Sequence, residues 1–190
     1  SPQIEFAEVD GDLRLTVAPG PRTVIAAVDV AVDGPLAAKT RQELIAGWEL
    51  PVGQPFRQQD WNTAKQQILS RLLAENHAAA RLVDSQATID PATRQARLMA
   101  RYDSGPPFRF GELRVEGLER YPVTLVERHN RTVRPGEPYR ESDLNALQTA
   151  LQATPQFRSV QVSIDRDAPP DADGVVTAPV TVRLSERPAH

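Results

Sequence analysis

The chain repeats itself, and that constrains its fold more than any other feature. Val32-Asp33-Gly34 recurs as Val115-Glu116-Gly117, and Gly53-Gln54-Pro55-Phe56-Arg57 recurs as Gly136-Glu137-Pro138-Tyr139-Arg140. Both matches lie at an offset of 83, and Asp60 falls on Asp143. Further on the offset is 75, with Leu82 on Phe157, Ala87 on Val162 and Ile89-Asp90 on Ile164-Asp165. A period of tens of residues marks a modular array, each copy one supersecondary unit. The drop in offset means that the first copy has the longer second helix. The ends recur as well: Leu13 to Val17 precede Pro19-Gly20-Pro21, Arg97 to Tyr102 precede Gly105-Pro106-Pro107, and Val180 to Leu184 precede Pro188. Residues 1–20 therefore read as the final hairpin of a truncated preceding copy, with complete copies at 21–105 and 106–190.

Within a copy, hydrophobic periodicity predicts the elements. Thr23 to Val32 alternates, with Val28, Val30 and Val32 on one face, as a strand does. Its counterpart, Phe108 to Val115, changes phase at Gly111, where a missing side chain permits a bulge or a close backbone approach. A first helix is expected over Pro35 to Leu50, with Leu44, Ile45 and Trp48 at helical spacing, and its partner starts at Tyr121-Pro122. A second helix from Arg57 or Asp60 puts Trp61, Ala64, Ile68, Leu72 and Leu73 on one stripe. Its partner, from Ser142 or Asp143, carries Leu144, Leu147 and Leu151. Two strands complete each copy: Ala80 to Ile89 and Gln95 to Tyr102, then Phe157 to Ile164 and Val180 to Ser185. The fold class is α+β, a tandem of β-α-α-β-β units, each a three-stranded mixed sheet covered on one face by two helices.

Three strands leave two sheet edges, whose unpaired backbone groups can accept a strand from another chain. The bland alternative is that these edges are merely blunted, as most are.

Other chemistry finds little support. A formal charge of −3, with basic and acidic residues intermixed, gives no basic face for nucleic acid. The chain has no cysteine, which removes disulfides and thiolate chemistry. No apolar run is long enough to span a bilayer, and no signal peptide precedes Ser1, as expected of a fragment of a larger mature protein. His77, His129 and His190 fall in different elements, with no nucleophile-activating partner at a recognisable spacing. Glycines lie at turns beside proline, so no phosphate-cradling loop is present, and no cofactor is implied. Asp165, Asp167, Asp171 and Asp173 before Gly174 imitate a calcium loop, but the downstream bidentate glutamate is missing and Pro169-Pro170 interrupts the run. They read as a solvated hairpin loop. Trp48 and Trp61 read as core residues on helical stripes rather than as ligand-stacking rings. Gly105-Pro106-Pro107 is short and stiff, which predicts limited motion between the copies.

The second copy opens with Phe108-Arg109-Phe110-Gly111-Glu112-Leu113-Arg114-Val115-Glu116-Gly117. It continues through Pro135-Gly136-Glu137-Pro138-Tyr139 and the run from Leu147 to Val160. This pattern resembles the POTRA domains of the Omp85 superfamily, most of all the second and third such domains of the TamA family. The motif consists of a first strand ending in glycine, a Gly-x-x-Tyr/Phe turn before the second helix, and Phe-x-x-Val opening the second strand. Gly117, Gly136, Tyr139, Phe157 and Val160 supply it in the second copy; the first departs at its last element, with Leu82 and Ser85.

The resemblance implies a non-catalytic periplasmic scaffold of a Gram-negative bacterium, placed before a C-terminal β-barrel in the same chain. It further implies unfolded outer-membrane protein or autotransporter segments as clients and the inner-membrane protein TamB as a partner. It also implies client pairing along the second strand: Ser159, Val160, Gln161, Val162 and Ser163, and more weakly Arg81, Leu82, Val83, Asp84 and Ser85. A POTRA pair of a two-partner secretion transporter or of another Omp85 protein is the nearest alternative. A small-ligand-binding protein or hydrolase would need a convergent polar pocket that no motif supplies.

Overall fold

The computed structural model describes residues 3–9, 12–18, 20 and 22–188, with side chains from residue 20 and from 22–188. A hairpin of β1 (Gln3–Val9) and β2 (Asp12–Ala18) pairs antiparallel. Its side chains lie outside the described residues, and so does the expectation that this orphan hairpin frays or pairs with a neighbouring chain. Repeat one follows as β3 (Val24–Asp33), α1 (Ala38–Ala46), α2 (Gln58–Ala74), β4 (Arg81–Asp90) and β5 (Gln95–Asp103). Repeat two is β6 (Phe108–Glu116), α3 (Thr124–His129), α4 (Glu141–Gln152), β7 (Phe157–Ile164) and β8 (Val176–Glu186). The β-α-α-β-β order expected from the repeat is therefore the observed one.

In each repeat the last strand enters the middle of the sheet, giving orders β3-β5-β4 and β6-β8-β7. The central strand runs parallel to the first strand and antiparallel to the second, so both sheets are mixed. Alternation in the central strands sets the buried face: Ala96, Leu98, Ala100 and Tyr102 in β5, and Val176, Ala178, Val180, Val182 and Leu184 in β8. The helices lie over that face. Repeat one packs Trp61, Ala64, Ile68 and Leu72 of α2 on it, and repeat two packs Leu144, Leu147 and Leu151 of α4. Burying each such leucine or isoleucine contributes roughly 1.5–3 kcal/mol. The other sheet face is solvated and carries cross-strand ion pairs, Arg101–Asp29 at 3.6 Å and Arg183–Glu116 at 3.1 Å. Tyr102 ties sheet to helix, its hydroxyl donating to the Lys65 carbonyl at 2.9 Å. Burial pushes that phenol up to about 12, so it stays a donor.

The phase change at Gly111 is a register shift between β6 and β8. A Cβ on Gly111 would lie 2.9 Å from the Ala178–Pro179 backbone, so this glycine marks both a bulge and a close approach. Pro179 sits in a central strand, where a missing N–H ordinarily breaks a ladder. It is tolerated here because β7 pairing has already ended at Ile164–Val180 and the bulge occupies the other side. For the same reason β8 begins at Val176, ahead of the expected Val180.

Three helical expectations need correction. The first helix spans Ala38–Ala46 and not Pro35 to Leu50, since Gly47 ends it and Pro35 and Leu36 precede it as coil. Ile45, expected on its apolar face, is exposed. Trp48 therefore lies beyond the helix rather than on its stripe. It still packs edge-to-face on Trp61 at 5.9 Å and donates its indole N–H to the Leu50 carbonyl at 2.8 Å. The helix expected from Tyr121-Pro122 begins at Thr124, and the Glu186 carboxylate accepts the N–H groups of Glu119, Arg120 and Tyr121 ahead of it. Among the described residues no helix is long and apolar enough to cross a membrane.

Candidate functional site

Each sheet has two edges, and the fold treats them differently. The glycine-containing turn before the second helix lies along the first strand. In repeat two the Gly136 N–H donates to the Phe110 carbonyl at 2.7 Å, Phe110 N–H to Glu137 at 2.9 Å, and Tyr139 N–H to Phe108 at 3.0 Å. Repeat one has the same lattice: Gly53 to Ile25 at 2.9 Å, Ile25 to Gln54 at 2.9 Å and Phe56 to Thr23 at 2.8 Å. Gly136 supplies the left-handed φ of +86° that the turn needs. Tyr139 anchors it, buried edge-to-face against Phe110 at 5.7 Å and Phe108 at 6.5 Å. The Gly-x-x-Tyr/Phe element thus covers the opening residues of the β3 and β6 edges, up to Ile25 and Phe110.

The remaining edges are β4 and β7. Ser159 to Ser163 lies on β7, where Phe157 and Val160 point into the core and Ser159, Gln161 and Ser163 are exposed. Arg81 to Ser85 opens β4. Its register shifts between Leu82 and Asp84, leaving Val83 bulged and 57% exposed. Regular pairing runs onward from Ser85 through Ala87 and Ile89, beyond the segment expected from the sequence. No backbone hydrogen bond from outside the sheet reaches Leu82 to Ile89 among the described residues. The β7 edge, in contrast, meets α4: the Val162 N–H donates to Gln148 Oε1 at 2.9 Å, and Gln152 Nε2 donates to the Val160 carbonyl at 3.4 Å. These glutamines did not stand out in the sequence.

The repeats are joined by more than the Gly105-Pro106-Pro107 linker. The coil after α2 docks on repeat two: Asn76, at a φ of +61°, donates its N–H to the Tyr139 carbonyl at 2.9 Å and accepts from Phe108 N–H at 2.6 Å. Ala78, 1% exposed, belongs to the core of repeat two, with Ala79 packed beside it. His77 is buried there, with Nδ1 3.3 Å from the Gly105 carbonyl, and burial lowers its pKa below the ordinary histidine value.

His129 Nδ1 lies 2.7 Å from the Leu125 carbonyl of its own helix, and His190 lies outside the described residues. Asp165 accepts the Asp167 N–H, and Asp171 accepts those of Asp173 and Val175, so these carboxylates fold their own loop. Among the described residues no cluster of three metal-ligating side chains forms.

No family model matches the chain. Solved structures do. The POTRA3-5 fragment of BamA from Haemophilus influenzae aligns over 97% of this chain and 71% of its own length, at a TM-score of 0.64 and 18% identity. BamA from Haemophilus ducreyi lacking POTRA domains 1-3 aligns over 86% of this chain and 29% of its own length, at a TM-score of 0.66 and 18% identity. The POTRA1-2 fragment of Omp85 from Anabaena aligns over 90% of this chain and 99% of its own length, at a TM-score of 0.50 and 14% identity. At these identities the likeness establishes the fold: two consecutive mixed-sheet units of the POTRA type found in Omp85 proteins.

Proposed function

We propose that this chain is the periplasmic POTRA region of an outer-membrane protein assembly or translocation factor of the Omp85 superfamily, a non-catalytic scaffold that holds extended polypeptides by β-augmentation. One observation carries the reading: in both repeats the turn motif covers the opening residues of one edge strand, while among the described residues no backbone hydrogen bond from outside the sheet reaches Ser85 to Ile89 of β4 or Ser159 to Ser163 of β7, which leaves those segments free for an added strand. Residues 21–105 and 106–190 act as the two modules, and residues 1–20 are the last hairpin of a module before them. Backbone pairing at Ser85 to Ile89 and Ser159 to Ser163 supplies sequence-tolerant affinity, and the helix beside each edge adds modest selectivity. Ordering a flexible client opposes binding, so affinity is weak and release is easy.

Within the superfamily, the resemblance of the runs Phe108–Gly117, Pro135–Tyr139 and Leu147–Val160, which hold the motif residues Gly117, Gly136, Tyr139, Phe157 and Val160, favours the TamA family. Autotransporter segments and other unfolded outer-membrane proteins are then the clients, TamB the inner-membrane partner, and a β-barrel the following domain.

The test is an edge block. Proline at an edge position removes an outward N–H at little cost to the sheet. The double variant Ala87→Pro, Val162→Pro is expected to keep its far-ultraviolet circular dichroism. It should bind a ten-residue strand peptide at least about tenfold more weakly, the effect of losing roughly 1.4 kcal/mol of backbone pairing. Unchanged affinity in a folded variant would sink the proposal.

A further inference from the structure

The two open edges are not equivalent, and the difference lies in one helix position. We infer that Gln148 is an intramolecular lock on the β7 edge, an acceptor that occupies the backbone donor an incoming strand needs; this rests on the edge-binding function proposed above. The Val162 N–H points away from β8, since its hydrogen bond goes to Gln148 Oε1 at 2.9 Å. In strand addition that N–H is a ladder donor. Gln152, one turn further along α4, bears on the neighbouring outward acceptor, the Val160 carbonyl, at 3.4 Å. An amide side chain offers both an acceptor and a donor, so a pair spaced four residues apart on a helix can imitate the alternating groups of a strand.

Repeat one lacks this device. The offset of 83 puts Lys65 where repeat two has Gln148, and Leu69 where it has Gln152. An ammonium group only donates and cannot accept the N–H of Ala87, the counterpart of Val162. Lys65 instead lies over the Trp61 ring, 4.8 Å from its centroid, with the Ser85 hydroxyl at 3.4 Å. The β4 edge from Ser85 onward is the open acceptor of strands, and β7 opens only when a client displaces the amide. The lock predicts the opposite ranking from the one that the sequence resemblance implies, in which β7 is the stronger edge.

The 190-residue chain is compared with Gln148→Ala, which removes the acceptor, and Gln148→Glu, which keeps one. The probe is a synthetic ten-residue peptide of alternating valine and threonine with terminal lysines. Without peptide, hydrogen exchange at the Val162 amide should quicken on the order of fivefold in the alanine variant and stay slow in the glutamate variant. With peptide, the alanine variant should bind at β7 on the order of fivefold more tightly than the parent chain, while β4 binding is unchanged. Equal exchange in all three proteins would overturn the lock, as would faster exchange with unchanged β7 affinity. Peptide bound by none of them would overturn the edge-binding reading and the lock together, whereas equal binding by all would remove the lock alone.

Discussion

Gly117→Ala is expected to destabilise repeat two by about 3 kcal/mol or more, a large loss for a single methyl group. Gly117 ends β6 at a φ of +93°, outside the range that side chains tolerate readily. A Cβ there would overlap the carbonyl oxygen of Leu184, which belongs to the backbone of the central strand β8. That oxygen cannot swing aside as a side chain would, so relief requires β6 and β8 to separate. Gly136→Ala is the control, because its φ is also positive at +86° but its Cβ would meet nothing within 4 Å. It carries the conformational strain alone and should cost about 1 kcal/mol. Urea unfolding of the two variants separates strain from collision. Equal losses would mean that β6 and β8 are not packed as described.

The second large effect is expected at the joint. Ala78 belongs to the chain of repeat one yet sits in the core of repeat two at 1% exposure. Ala78→Glu forces a carboxylate into that core with no cation provided for it, and the coil from Glu75 to Ala80 is expected to undock at a cost of several kcal/mol. Each repeat keeps its own sheet, so loss of mutual orientation should exceed loss of secondary structure. Residual dipolar couplings check this: the parent chain should fit one alignment tensor for both repeats, and Ala78→Glu should require two. One tensor for both proteins would show that Gly105-Pro106-Pro107 alone fixes the angle.

The joint also shows what the sequence can and cannot convey. Self-comparison exposes the order of elements, because the Gly-x-x-Tyr/Phe turn and the apolar stripes recur in step with the fold. It misplaces α1 because Trp48 fits a helical period with Leu44 while packing from the segment beyond a nine-residue helix. It starts the last strand at Val180, whereas β8 starts at Val176, and only the pairing of β6 and β7 shows that Pro179 between them costs no ladder bond. The docking of Asn76 to Ala79 on the next repeat lies in a polar coil with no periodic signal.

Alternation over Phe157 to Ile164 predicts a strand, and the family resemblance alone points to Ser159 to Ser163 within it; alternation describes side chains. The direction of each outward N–H depends on which strand lies in the middle of the sheet. Gln148 and Gln152 look like solvated helix residues until α4 is placed beside β7, and the contrast with Lys65 and Leu69 has no meaning before that. The regular part of β4 escaped for a related reason: repeat one departs from the motif at Leu82 and Ser85, so attention falls on the bulged Arg81 to Ser85 rather than on the straight segment after it.

Backbone chemical-shift mapping of the isotope-labelled chain, titrated with a strand peptide, tests the central claim most directly. Shifts should appear first at Ser85 to Ile89 of β4 and, at higher peptide concentration, at Ser159 to Ser163 of β7 and the adjoining face of α4. The turn-covered starts of β3 and β6, up to Ile25 and Phe110, should stay silent. No response at millimolar peptide, or a response confined to β3 and β6, would contradict the account and leave a structural spacer in its place.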